Sequence, residues 1–278
     1  MGGGERDQTV LQVHNFTYGL LTPVLAYAMS CVGAFLGLRC TARARSFQGL
    51  ARARWLLLGG LSIGITGVWL MHFIAMLGFT IPGETITYNV PVTIASLVIV
   101  VVIVCVGLMI VGFGPEGYLS LLLSGLIVGF GVTVMHYLGM AAMRMPGRIS
   151  YNPGLLFLSI VIAIVAATAA LWAATRLHGI RQTLLASLIM GVAVSGMHYT
   201  GMAAMHVFKA TASSGMVMGG PGGATAESFV LPLVLGITVV SFILTATISL
   251  SPTAEEIKYD EALVAHLHSQ GPRETTQG

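Results

Sequence analysis

The segment VTIASLVIVVVIVCVGLMIVG at residues 92–112 contains no charged side chain. A helix needs about 20 mostly apolar residues to cross a bilayer core of about 30 Å, so this segment is long enough to span it. Six other segments have the same character, and each is too long and too uniformly apolar for a strand of a membrane β-barrel. The sequence therefore predicts an all-α membrane protein with seven transmembrane helices, at 19–38, 55–79, 92–112, 118–143, 154–175, 183–205 and 229–250.

The composition of the whole chain excludes a soluble protein. Of the 278 residues, 8% are charged and 55% are hydrophobic, and the mean hydropathy is +0.88. A typical soluble domain carries about 25% charged residues. The same apolar content excludes a disordered chain. Against this background the eight His and 15 Met are conspicuous, and we expect functional side chains among them.

The distribution of Lys and Arg predicts how the chain is oriented in the membrane. Nine lie on one side of the predicted helices: Arg39, Arg43, Arg45, Arg52, Arg54, Arg176, Arg181, Lys258 and Arg273. Four lie on the other side: Arg6, Arg144, Arg148 and Lys209. We therefore expect the N-terminus outside and the C-terminus in the cytoplasm, in the plasma or inner membrane of the cell. The basic residues of 39–54 are few and next to the membrane, which favours contact with the lipid bilayer over nucleic-acid binding.

One six-residue pattern occurs three times in the chain. The copies are Met71-His72-Phe73-Ile74-Ala75-Met76, Met135-His136-Tyr137-Leu138-Gly139-Met140 and Met197-His198-Tyr199-Thr200-Gly201-Met202. Their histidines are 64 and 62 residues apart, which corresponds to one helical hairpin per copy. The sequence thus predicts helix 1 followed by three helical-hairpin repeats, with the motifs at 71–76, 135–140 and 197–202.

The three motifs are predicted to meet at one depth in the membrane. Their histidines lie 17, 18 and 15 residues beyond the predicted starts of helices that all run from inside to outside. At 1.5 Å per residue, this is roughly 22–27 Å from the inner edge. In each motif the His and the Met four residues later share a helix face. Met143 and Met205 extend that face, and His14, just before helix 1, is close enough to reach the same layer.

Imidazole and thioether groups are ligands that suit copper, or an axial position on haem iron. Every Asp and Glu lies outside the predicted spans, which argues against Ca²⁺, Mg²⁺ and a carboxylate proton relay. Zinc sites more often combine His with Cys or carboxylate. Copper is therefore favoured, with haem second. Tyr137 and Tyr199 are either hydrogen-bond donors to the site or aromatic side chains of the membrane interface, and the second role is favoured.

The three M-H-[FY]-x-[AG]-M segments resemble the signature of the bacterial MHYT family of integral-membrane sensor domains, and the resemblance extends from about residue 14 to 250. It implies a seven-helix sensor domain over residues 1–250 that detects a diatomic gas (O₂, CO or NO) or a redox state through bound copper. The first copy departs from the pattern at Phe73 and Ala75. The copper ligands that the resemblance implies are Met71, His72, Met76, Met135, His136, Met140, Met197, His198 and Met202.

Many members of the family carry a diguanylate cyclase, phosphodiesterase or kinase domain after the sensor. In this sequence only residues 253–278 follow Pro252, too few for such a domain. We therefore expect 251–278 to be a short cytoplasmic tail, the chain not to be an enzyme, and any signal to pass to a separate cytoplasmic signalling protein. Two alternatives stay open. One is a copper or small-molecule permease, and the other is a haem-binding membrane redox protein.

Overall fold

The computed structural model describes residues 10–115, 117–145, 147–177, 179–209, 223–250 and Leu263. These residues contain seven helices that are long and apolar enough to cross a membrane, as predicted. They are α1 Leu21–Ala44, α2 Gly49–Leu77, α3 Val90–Phe113, α4 Tyr118–Ala142, α5 Pro153–Arg176, α6 Ile180–Ala204 and α7 Leu231–Leu250. The protein is thus a multi-pass membrane protein. The predicted tail at 251–278 lies outside the described residues except for Leu263.

The basic segment 39–54 differs from the predicted loop. Helix α1 continues to Ala44 and α2 begins at Gly49, so only a four-residue turn separates them. The guanidinium of Arg43 lies 5.1 Å from the centre of the Trp55 ring, between these two helix ends. Long basic side chains can cover apolar surface while their charge reaches water, and a helix can therefore extend past its apolar run.

Six of the helices close into a ring. Each of α1 to α6 packs against its neighbour in chain order, and α6 packs against α1. The third repeat departs here from the predicted succession of three hairpins, because α7 packs on the outside of α1 and α2. Helix α1 runs in the same direction as α3 and α5, and these three helices alternate around the ring with the motif helices α2, α4 and α6.

Glycines allow neighbouring backbones in this ring to approach closely. A Cβ atom on Gly33 of α1 would lie 2.2 Å from the backbone nitrogen of Gly67 in α2. A Cβ atom on Gly129 of α4 would lie 2.5 Å from the Cα atom of Ile164 in α5. Small residues at such contacts are the usual basis of tight helix packing in membranes.

Helix α2 is irregular where it approaches the first motif. It is α-helical over Gly49–Leu61, π-helical over Ser62–Leu70, and α-helical again over Met71–Leu77. Gly64 contacts α3 as Gly129 contacts α5, yet Gly64 lies eight residues before its motif histidine and Gly129 only seven. A π-helix uses more residues per turn than an α-helix, so this stretch accommodates the extra residue.

A layer of short strands covers the end of the ring at which the three motifs lie, which we call the motif end. The strands are β1 Thr87–Tyr88, β2 Met143–Arg144, β3 Arg148–Tyr151, β4 Met205–Phe208 and β5 Ala224–Thr225. They form a sheet in the order β2-β1-β5 and a separate β3-β4 pair. The predicted all-α architecture holds for the spans, and this layer is an addition that the sequence analysis did not predict.

Candidate metal centre

The three motif histidines meet on the axis of the ring. His72 comes from α2, His136 from α4 and His198 from α6, and each side chain is at most 1% exposed. One ring nitrogen from each lies within 4.8 Å of the other two. The three rings stand nearly perpendicular to one another, at 80–90°, with their centres 5.0–5.1 Å apart. The common depth predicted for the motifs is therefore confirmed.

The nitrogens that face the axis are the Nδ1 atoms. Nδ1 of His72 lies 3.0 Å from Nδ1 of His198 and 3.2 Å from Nδ1 of His136. A neutral imidazole offers one N–H and one lone pair. Nδ1 of His72 therefore cannot form a full hydrogen bond with both neighbours, whichever tautomer it adopts. A cation between the rings would instead accept one lone pair from each Nδ1 atom.

The spacing of these nitrogens also fits a metal ion. Three nitrogens that each lie about 2.0 Å from one ion are about 3.3–3.5 Å apart. The two observed distances of 3.0 and 3.2 Å are only slightly shorter. The three histidines could therefore hold a metal with a small adjustment of their side chains.

The opposite edges of the rings pack against glycines of the neighbouring motif. A Cβ atom on Gly139 would lie 2.4 Å from Nε2 of His72, and one on Gly201 would lie 2.3 Å from Nε2 of His136. Each glycine is the fifth residue of its hexapeptide, so the second and third motifs each make room for the imidazole of the motif before them. These two Nε2 atoms are buried and have no hydrogen-bond partner.

The six motif methionines are all buried. Their side chains are at most 4% exposed, and they are Met71, Met76, Met135, Met140, Met197 and Met202. Met76, Met140 and Met202 follow their histidines by one helical turn, which places them on the side of the histidines toward the motif end. The site thus combines three convergent imidazoles with thioether side chains on the same three helices.

The other candidate residues do not extend the helical faces as predicted. Helices α4 and α6 end at Ala142 and Ala204, so Met143 and Met205 lie in strands β2 and β4, although both are buried. The predicted helical stripe is wrong at these two positions because the chain turns there. His14 is exposed, whereas the three motif histidines are buried, and its backbone pairs with that of Thr80.

The aromatic residue of each motif packs against a second aromatic ring, which lies in the strand layer or in the segment before α1. Phe73 lies 6.2 Å from Tyr88, Tyr137 lies 5.3 Å from Tyr151, and Tyr199 lies 5.5 Å from Phe16, measured between ring centres. The three motif aromatics also meet their own histidines edge to face, at 4.8–4.9 Å. Burial raises the pKa of Tyr151 to about 12, so this covering ring stays uncharged.

The motif tyrosines do not bond to the histidines through their hydroxyl groups. The Tyr137 hydroxyl lies 2.8 Å from the Ser159 hydroxyl, and the Tyr199 hydroxyl is buried without a partner. Sequence analysis missed the partners Tyr88, Tyr151 and Phe16. A signal for two of them was present, because Tyr88-Asn89 and Tyr151-Asn152 each precede a proline at the start of a helix.

Backbone hydrogen bonds repeat the same threefold pattern. The N–H groups of Asn89, Asn152 and Thr17 donate to the carbonyls at the ends of α4, α6 and α2, at 2.8, 2.7 and 3.1 Å. The asparagine side chains cap α3 and α5. The end of each motif helix is therefore tied to the segment that leads into the helix before it in the chain, which holds the histidines in a common frame.

Known proteins share the motifs. The profile of the family MHYT, described as "Bacterial signalling protein N terminal repeat", matches residues 66–125 and 129–187. No solved protein structure matches the chain.

Three curated relatives show the extent of the likeness. The bifunctional diguanylate cyclase/cyclic di-GMP phosphodiesterase MucR of Pseudomonas aeruginosa is 37% identical over 193 residues, which are 68% of this chain and 28% of MucR. The cyclic di-GMP phosphodiesterase NbdA of the same organism is 36% identical over 211 residues, 74% of this chain and 26% of NbdA. The signaling protein YkoW of Bacillus subtilis is 31% identical over 217 residues, 75% of this chain and 26% of YkoW. The chain thus spans less than a third of each relative, and by its motifs, its seven spans and these matches it belongs to the MHYT family.

Proposed function

We propose that this membrane protein of a signalling family is a sensor that binds copper at the three motif histidines and responds to a diatomic gas or to the redox state. The observation that supports it most is the convergence of three Nδ1 atoms at 3.0 and 3.2 Å in a buried site. Imidazoles from three helices, with buried thioether side chains on the same helices, form a soft-to-borderline ligand set, which suits copper. Bound copper would supply an open coordination position for O₂, CO or NO.

The alternative of a haem site fits the geometry less well. The three ring centres are only 5.0–5.1 Å apart, which leaves no space for a porphyrin between them. The cavity lined by the residues one helical turn before the histidines has a volume of about 50 Å³. Sites for cofactors of porphyrin size are usually about 300–1,000 Å³.

The alternative of a copper permease is disfavoured by the surroundings of the histidines. Strands and aromatic pairs cover them at the motif end, and the cavity on their other side is lined by apolar residues, with Met190 and Met197 as its sulfur-bearing side chains. A charged ion is costly in such surroundings without successive ligands. A sensor needs only to hold its ion.

The histidines offer a simple way to convert binding into a signal. Each comes from a different helix, and the ring of His72 rests on Gly139 of α4 as the ring of His136 rests on Gly201 of α6. A change in the spacing of the Nδ1 atoms therefore shifts α2, α4 and α6 relative to one another. These helices begin at the end opposite the motifs, where a separate cytoplasmic protein or a further segment would receive the signal. We propose no catalytic step for this chain.

Copper content tests the proposal. We expect purified protein loaded with copper(I) to retain about one ion per chain, and the variant His72→Ala/His136→Ala/His198→Ala to retain none, because three of its ligands are removed. His206→Ala is the matched control, because His206 is exposed on strand β4 and should leave the copper content unchanged. Retention of copper by the triple variant, or its absence from the wild-type protein, would contradict the proposal.

A further inference from the structure

A small apolar cavity lies in the middle of the ring. Its volume is about 50 Å³, and it is bordered by residues of α2, α3, α4, α5 and α6. All the lining residues that the structure describes are Val, Ala, Ile or Met. A space of this size can hold several atoms, and cavities with apolar walls stay dry and bind gases such as xenon.

The cavity lies about one helical turn from the histidines. Three of its lining residues, Val68, Val132 and Val194, are equivalent in the three repeats, because each precedes a motif histidine by four residues. Four residues of a helix rise about 6 Å, so the cavity begins one turn from the imidazoles. It is on the side away from the strand layer. The residue before His198, Met197, also lines it.

The cavity arises from a difference between two repeats. Counted from the capping residues Asn89 and Asn152, Val100 and Val104 of α3 correspond to Ala163 and Ala167 of α5. Both alanines border the cavity, and they carry two carbon atoms fewer each than the valines. Membrane and soluble cores are normally packed to high density. The alanines of α5 therefore leave space on their side of the cavity that valines would fill.

The same helix leads from the cavity to the lipid. Ala166 and Ala170 also border the cavity and are partly exposed on the outer surface of α5. Small apolar molecules dissolve better in hydrocarbon than in water. At the motif end, by contrast, the aromatic pairs and strands cover the histidines. The bilayer is thus the more accessible source for an apolar molecule.

We propose that the cavity binds an apolar molecule of one or two heavy atoms and admits it from the bilayer, past the alanines of α5, to the histidines. This inference rests on the proposed function for its physiological ligand, a diatomic gas. Occupation of the cavity itself requires no metal. The two can therefore be tested separately.

Xenon is the probe for the cavity, used on crystals of the full chain without added copper. We expect an anomalous peak between Val68, Val132 and Ala167 in the wild-type protein. The variant Ala163→Val/Ala167→Val should lose the peak, because it introduces the side chains that α3 has at the corresponding positions. Ala169→Val is the matched control, since it adds the same atoms to an exposed position of α5 and should retain the peak. Absence of xenon from the wild-type cavity, or its persistence in the filled variant, would overturn the inference.

A second measurement tests the route to the histidines. With the copper content of both variants first shown to equal that of the wild type, CO rebinding to copper(I) after flash photolysis should be about tenfold slower in the filled variant and unchanged in Ala169→Val. Equal rates in all three proteins would overturn the route, even if xenon binds. A protein that takes up no copper would refute the proposed function, and the xenon result would still decide the cavity.

Discussion

At the scale of single residues, the glycines of the second and third motifs position the histidines of the site. Gly139 and Gly201 each receive the imidazole of the preceding motif, at distances that leave no room for a side chain. This explains why a glycine stands three positions after the histidine in the second and third motifs. Each of these two glycines packs against an imidazole from the neighbouring motif helix, and this contact joins one repeat to the next.

Substitution of Gly139 should weaken metal binding without altering any ligand. The methyl group of Gly139→Ala would lie 2.4 Å from Nε2 of His72, so the ring must rotate and its Nδ1 atom must leave the axis. Changes in groups that orient metal ligands typically cost 10–100-fold in affinity, and we expect a loss of about this size. Competition with a copper(I) chelator measures it.

Gly196→Ala is the control for this substitution. Gly196 lies two residues before His198, in the same kind of helix, and a Cβ atom there would meet nothing within 4 Å. The control should bind copper as the wild-type protein does. Equal affinities for Gly139→Ala and the wild type would show that the glycine does not position His72.

At the scale of elements, the π-helical stretch Ser62–Leu70 sets the rotation of the first motif. It absorbs one residue more than the corresponding part of α4, as the spacing from Gly64 to His72 and from Gly129 to His136 shows. Without it, the first histidine would be turned by about 100° from the axis. The π-helix therefore keeps three repeats of unequal length in one geometry.

Deletions of single residues test this role. Removal of Ile65 places Gly64 seven residues before His72, as Gly129 is before His136, so α2 can become a regular helix with His72 still on the axis. Removal of Phe130 from α4 should instead turn His136 away and abolish copper binding. Copper content of monodisperse protein is the readout. Loss of copper in both deletions, or in neither, would contradict the assignment.

The sequence predicted the helices better than the layer that covers them. Apolar runs located the seven spans because the hydrocarbon of the bilayer demands them. Helix ends were less accurate, since charged residues such as Arg43 continue α1 beyond its apolar run. The strands were not predicted because each is two to four residues long and pairs with a distant segment, as Tyr88 does with Met143.

At the scale of the whole molecule, the ring converts a threefold sequence pattern into a threefold site. The repeats predicted that the histidines share one depth, and the structure brings His72, His136 and His198 together. The sequence could not predict which ring nitrogen faces the axis, since that depends on helix rotation. Nor could it predict that α1 completes the ring while α7 lies outside, because both are simply apolar helices.

The orientation of the molecule is a separate prediction from the fold. The excess of Lys and Arg still predicts that the motif end faces outward and that α2, α4 and α6 begin at the cytoplasmic side. In that orientation, a shift of these helices would be transmitted to the cytoplasmic end. The proposed copper centre is the part of the molecule on which the signal would depend.

X-ray absorption at the copper edge tests most directly whether the three motif histidines bind copper. In copper(I)-loaded, full-length protein we predict three nitrogen neighbours at about 2.0 Å, with the multiple scattering that imidazole rings produce. His136→Ala should remove one of them, and His206→Ala should leave the spectrum unchanged. A first shell of sulfur or oxygen without imidazole nitrogen, or a spectrum unaltered by His136→Ala, would contradict the account.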